Sequence, residues 1–167
     1  MNPNARSNGI VGYIFPPRVA STTMRKWCDD NGFGTWDNPA RRVGIVRNPI
    51  ARFISSVSRF IGLPYEEVPM NPPDRITFIL EEIQADPENF LKSNIHFARQ
   101  SDIFAQYNPT VYLRLENLHT LVKTDALNIS NGHNLQWVNS KLSKSTLEKV
   151  NNIYQQDWKI YNESPSS

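Results

Sequence analysis

Ile10 to Phe15 is almost unbroken apolar sequence, and it stops at the pair Pro16-Pro17. A run this short and without alternation reads as a strand buried on both faces, as in a parallel sheet covered by helices on each side. The residues after the prolines constrain the chain further. Arg18, Val19 and Ala20 lead into three hydroxyl residues, Ser21, Thr22 and Thr23, and then Met24, Trp27 and Cys28 recur at helical spacing. The pattern predicts strand, tight loop and a helix over Ser21 to Asp30, closed by Asn31-Gly32. Such a helix start presents unpaired N–H groups beside a cation and hydroxyls, a setting that favours phosphate.

A second unit of the same kind comes next. Arg42 to Val46 is a short strand of β-branched character, and it runs into Arg47-Asn48-Pro49, where Asn48 can cap and Pro49 can take the first helical position. Ile50, Phe53, Ile54, Val57, Phe60 and Ile61 then form one apolar stripe, with Arg52, Ser55, Ser56 and Arg59 on the opposite side. Asp74 and Asp86-Pro87 each open a further helix. Ser93 to Gln100 has no clear period. Val111 to Leu115 is a third strand, Glu116 to about Leu127 reads as helical, and Phe33 to Trp36 is a candidate fourth strand. The last helix is expected from Ser143 or Ser145 to Tyr161, with Leu147, Val150, Tyr154, Trp158 and Tyr161 inward and Ser145 with Glu148 as a capping box. Strand–helix units at both ends argue for an α/β fold with a parallel sheet.

At 167 residues the chain suits one domain, expected over residues 9–161 with disordered tails at 1–8 and 162–167. A net charge of +2 is too mild to argue for nucleic acid or a membrane surface, so the cations read as local sites. One cysteine, Cys28, excludes an internal disulfide and fits a reducing compartment. With no apolar leader and no run of membrane-spanning length, the expected location is cytoplasmic.

In such sheets ligands bind beyond the carboxyl ends of the strands. All three expected strands end in polar chemistry there: Arg18 with Ser21 to Thr23, then Arg47, then Arg114 with Glu116. The first loop is not a Walker A motif, since PPRVASTT has neither the glycines nor the Gly-Lys ending. Arg47 leaves a strand end while Ser55, eight residues on, lies two turns into the next helix on its polar side. A phosphate between them would meet an arginine fork and a hydroxyl donor. With a second anion on the first loop, the result is a two-phosphate cradle that needs no metal.

Five stretches in this order resemble the sulfotransferase family, in particular its carbohydrate-type branch. PPRVASTTMR resembles the loop that binds 5'-phosphosulfate. VRNPIARFISSVSRF is similar to the segment that binds the 3'-phosphate, with Arg47 and Ser55 at the family's spacing. NIHFARQ resembles a His-x-x-x-Gln stretch, YLRLENL a strand entering a Glu-x-Leu helix, and VNSKLSKSTLEKVNNIYQQDWKIY the C-terminal signature. The resemblance covers Gly12 to Tyr161.

It implies a three-layer, P-loop-like parallel sheet flanked by helices, and transfer of a sulfuryl group from 3'-phosphoadenosine 5'-phosphosulfate (PAPS) to a small-molecule or carbohydrate hydroxyl or amine. By resemblance Arg18, Val19, Ala20, Ser21, Thr22, Thr23, Arg47, Ser55, Asn139 and Ser140 hold the nucleotide. Arg18 also stabilises the leaving phosphate, and His96 or Glu116 takes the acceptor's proton, with His96 preferred because its ordinary pKa of about 6.5 suits a base near neutrality. The family's loop normally carries Lys where this chain has Arg18, which cannot give up a proton. Two alternatives therefore stand beside the enzyme: a nucleotide-binding module without transfer activity, and a kinase-like transferase with a degenerate phosphate loop.

Overall fold

The computed structural model describes residues 4–59, 72–120, 122 and 142–165. Four strands form a mixed, mostly parallel sheet in the order β1 (Ala5–Ser7), β2 (Val11–Ile14), β3 (Arg41–Val46), β4 (Val111–Arg114). β2, β3 and β4 are parallel neighbours, with Tyr13 opposite Val43 and Val43 opposite Val111. β1 pairs antiparallel with β2, so the sheet is not parallel throughout. The seven described helices of α type are α1 (Ser21–Asp30), α2 (Pro49–Arg59), α3 (Pro72–Ala85), α4 (Pro87–Ser93), α5 (Gln100–Ala105), α6 (Lys144–Ile153) and α7 (Gln155–Glu163), and a 3-10 helix spans Leu115–Thr120.

Strand alternation divides the apolar residues between two helix-covered faces. Tyr13, Phe15, Val43 and Ile45 meet Met24 and Cys28 of α1 on one side. Ile14 and Val46 meet Ile103 and Phe104 of α5, with Ile160 and Tyr161 of α7, on the other. A third cluster lies off the sheet, where Phe53, Ile54 and Val57 of α2 pack on Ile79 and Ile83 of α3, Leu91 of α4, and Val150 with Tyr154. Burying each such side chain stabilises the fold by about 1.5–3 kcal/mol. Gly44 is glycine because β3 is overlaid by rings: a Cβ there would sit 2.9 Å from Tyr112 Cδ1 and 3.1 Å from Phe104 Cε1.

Several local expectations hold. α1 starts at Ser21 and ends at Asp30, with Gly32 at φ 75° just beyond. Asn48 Oδ1 accepts from Ala51 N–H at 3.1 Å, and Asp86 caps α4 through Asn89 N–H. Others need correction. The N-terminal tail expected over 1–8 contains β1, in which Ala5 is buried and Phe15 N–H reaches the Asn4 carbonyl at 2.8 Å. The expected C-terminal tail begins later than 162, since α7 runs to Glu163 and Ser164 is buried. Phe33 to Trp36 supplies only an isolated bridge, Ser7 to Gly34, and its two rings pack into the clusters on the two faces instead. The single last helix is two, broken at Tyr154 (φ −107°, ψ 28°), and Ser143 rather than Ser145 is its cap, accepting from Thr146 N–H. The expected helix from Glu116 starts as a 3-10 helix, and most of the rest of it, like the Asn128 to Asn134 loop, lies outside the described residues. No described helix is long and apolar enough to cross a membrane.

Candidate functional site

The loop between β2 and α1 bends twice through backbone space that side chains disfavour. Arg18 has φ 71° and Ala20 has φ 56°, ψ 32°, both left-handed. Non-glycine residues in that region cost on the order of 1–3 kcal/mol each, and they persist where surroundings over-determine them. The surroundings here are explicit. Val19 between them is fully buried and its N–H donates to the Pro16 carbonyl at 3.3 Å. The Pro17 carbonyl accepts from Arg52 Nε at 3.1 Å, and the Arg18 carbonyl from Arg47 Nη1 at 2.8 Å. Three successive carbonyls are thus engaged, two of them by buried guanidinium groups.

Beyond the bend, α1 begins with no side-chain cap and no acidic residue in its first turn. Ser21 and Thr23 are half-buried and Thr22 is exposed. The positive end of the helix therefore has no carboxylate of its own.

The second half of the site lies against the first. Arg18 Nη2 donates to Ser55 Oγ at 2.8 Å and to the Ser55 carbonyl at 2.9 Å. Arg47 is 5 % exposed. Its backbone is clasped by Gln100, whose Oε1 accepts from Arg47 N–H at 3.0 Å while Nε2 donates to the Arg47 carbonyl at 2.9 Å. Burial, then the neighbouring Arg18, lowers the Arg47 guanidinium to about 10, with Glu116 opposing and Arg52 adding to the shift. It still carries its charge at neutral pH. The sequence spacing predicts an open arginine fork and a free hydroxyl. Instead, one Arg47 nitrogen is committed to the loop and the Ser55 hydroxyl is held by Arg18.

His96 belongs to the same neighbourhood. Its carbonyl accepts from Ser56 Oγ at 2.7 Å, one residue beyond the Arg18 contact. Burial, followed by the charges of Arg18 and Arg52, holds its imidazole below the ordinary value of 6.5. Among the described residues its buried Nδ1 has no hydrogen-bond partner. The ring is therefore unprotonated and free to accept a proton near neutrality, while the two cations make it a weaker base than an ordinary histidine.

Not every expected residue converges here. Arg114, at the end of β4, donates from Nε to the Tyr161 carbonyl at 3.1 Å and stacks 4.5 Å over the Tyr161 ring, so it fastens α7. Glu116 accepts from Tyr161 Oη at 3.3 Å and acts on Arg47 only through its charge. Asn139 and Ser140 lie outside the described residues.

The C-terminal segment supports the site from below. Tyr154 Oη donates to the Phe97 carbonyl at 2.8 Å. The fully buried Asp157 carboxylate accepts from Gln100 N–H and Ser101 N–H, both at 2.8 Å. Gln100 passes that fixation to Arg47. Sequence reasoning gives no supporting role to Arg52, Gln100 or Asp157, although Gln100 closes the NIHFARQ stretch and Asp157 lies within the C-terminal one. The available signal is the recurrence of polar side chains, Gln100 and Asp157, beside buried aromatic ones. Among the described residues no group of three or more His, Cys, Asp or Glu is placed to hold a metal ion. Comparison with protein-family models, with curated proteins and with solved structures yields no match.

Proposed function

We propose that this chain is a sulfotransferase that uses PAPS as sulfuryl donor, on a P-loop-like arrangement of β2, its loop and α1, with a carbohydrate or small molecule as acceptor. The observation that carries the reading is the contact of Arg18 with Ser55, which joins the anion-favouring loop to the Arg47–Ser55 segment. Two cationic half-sites in contact suit a nucleotide bearing phosphates at both its 3' and 5' positions. In the transfer, an acceptor oxygen or nitrogen attacks sulfur, the bond from sulfur to the 5'-phosphate oxygen breaks, and adenosine 3',5'-bisphosphate leaves. Arg18 and the α1 N-terminus meet the charge growing on the leaving phosphate, and His96 takes the acceptor's proton. A reducing, cytoplasmic setting suits the free, buried Cys28 thiol.

The competing reading, a nucleotide-binding module without transfer, is favoured by one feature. Arg18 stands where a lysine able to give up a proton is the usual residue of the resembling family. Labelled sulfate transfer from PAPS to a panel of sugars, amines and phenols separates the two. The enzyme reading expects wild-type transfer that His96→Ala abolishes. Bisphosphate binding with equal background in both proteins would select the binding module.

A further inference from the structure

We infer that Arg52 is a positioning residue that holds the phosphate-favouring loop and the turn carrying His96 in one fixed relation. The side chain is 1 % exposed and reaches two segments far apart in sequence. Nε donates to the Pro17 carbonyl at 3.1 Å, Nη1 to the Ala98 carbonyl at 2.7 Å, and Nη2 to the Ile95 carbonyl at 3.5 Å. Ser56 Oγ lies 3.1 Å from the Arg52 carbonyl and 2.7 Å from the His96 carbonyl, so its single proton is shared between the two, with the shorter contact to His96. Residues 95, 96 and 98 are therefore tied to one turn of α2, and the same guanidinium ties that turn to Pro17.

The choice of residue has a geometric reason. A planar fork can donate in several fixed directions at once, whereas an ammonium group on a flexible stem cannot hold both segments in the same register. The cost of burying the charge is evident, since no carboxylate of the described residues lies within ion-pair distance of Arg52. A leucine or methionine would pack there without that desolvation cost. The cation is spent on backbone carbonyls of two segments that flank the candidate site. Removing it would leave buried carbonyls without donors on both sides at once.

The role of Arg52 toward a bound anion rests on the sulfotransferase reading, whereas the coupling of loop and turn does not. Amide hydrogen exchange of the full chain tests the coupling without any ligand. Val19 N–H, bonded to the Pro16 carbonyl, reports on the loop, Ala98 N–H, bonded to the Asn94 carbonyl, reports on the turn, and Phe53 reports on α2 itself. Arg52→Lys should speed exchange at Val19 and Ala98 together by about tenfold or more, with Phe53 much less affected. Acceleration confined to α2, or to one of the two segments, would overturn the inference. In parallel, a folded Arg52→Met should speed the same two amides together, and acceleration at only one of them would likewise overturn the inference.

Should neither variant fold, wild type with adenosine 3',5'-bisphosphate decides the matter. Protection rising at Val19 and Ala98 together supports the coupling, and protection at Val19 alone overturns it. Absence of any protection by the bisphosphate would overturn the sulfotransferase reading instead. Hydrogen exchange of ligand-free wild type in rising urea then judges Arg52: Val19 and Ala98 opening together supports the coupling, and opening separately overturns it.

Discussion

Arg18 Nη2 sits 2.8 Å from the hydroxyl of Ser55, a residue 37 positions further along the chain. The contact makes a strained loop and the second turn of α2 into one surface. On the sulfotransferase reading, it also puts a guanidinium between the positions where two phosphates of one nucleotide would bind. An anion arriving at Ser55 meets Arg18 and the hydroxyl together.

Removing the hydroxyl isolates that contribution. Ser55→Ala leaves the Arg18 contact with the Ser55 carbonyl in place and deletes one donor to the ligand. Affinity for adenosine 3',5'-bisphosphate is expected to fall about tenfold, with little change in stability. Titration calorimetry on the variant and wild type measures it.

Removing the cation has a larger effect. Arg18→Ala is expected to weaken bisphosphate binding by roughly tenfold to a hundredfold, since hydrogen bonds to charged groups are worth about 1.5–3 kcal/mol. Arg18→Lys keeps the charge but loses the fork. It is expected to bind better than Arg18→Ala and to transfer sulfate at least as fast as wild type, which a paired measurement of binding and labelled transfer would check.

The histidine gives the pH dependence. Burial first, then Arg18 and Arg52, depresses the His96 value in the folded state below 6.5. Between the depressed value and 6.5 the unfolded chain binds the proton more readily than the folded one, so stability rises with pH through that window. The destabilisation is complete below the folded value and gone above 6.5. Urea unfolding between pH 5 and 8 should show that rise in wild type and a flatter profile in His96→Asn. The acid limb of kcat/KM should likewise lie below pH 6.5.

The supporting struts predict stability losses without direct contact to a ligand. Asp157→Ala leaves the N–H groups of Gln100 and Ser101 without their acceptor inside the fold. Each orphaned buried donor costs about 1–3 kcal/mol, so several kcal/mol are expected from the pair. Tyr154→Phe loses one bond to the Phe97 carbonyl and should cost about 1–2 kcal/mol. Denaturant unfolding reads both.

Gly12→Ala tests the packing behind the first long strand. A Cβ there would lie 2.4 Å from Trp36 Cζ3 and 2.6 Å from Pro39 Cγ. Overpacking of this kind costs about 1–3 kcal/mol, seen as a lowered melting temperature.

Much of this arrangement is legible in the sequence, and the failures have physical causes. β2, β3 and β4 announce themselves through short apolar runs, and α1 and α2 through caps and spacing, because burial imposes a period on residue type. β1 does not, since Ala5-Arg6-Ser7 is three residues long and largely polar. It is held by backbone pairing and by the ion pair of Arg6 with Asp29, which carry no sequence period. Arg52 misleads for a different reason. The polar side of α2 suggests solvent, yet here it faces the Pro16 to Ala20 loop and the 95–98 turn, so a polar residue at helical spacing is fully buried. The nearness of Arg18, Arg47 and Ser55 comes from strand ends meeting at one edge. The Arg18–Ser55 bond itself depends on the loop's left-handed bends, which no glycine or asparagine advertises.

Thermal unfolding of the wild-type chain with adenosine 3',5'-bisphosphate, set against ATP plus magnesium, tests the two-phosphate cradle most directly. Ligand that binds only the folded state raises the midpoint by mass action. The cradle predicts a concentration-dependent rise with the bisphosphate that shrinks in Ser55→Ala and more so in Arg18→Ala. A rise with ATP and magnesium alone, and none with the bisphosphate, would contradict it.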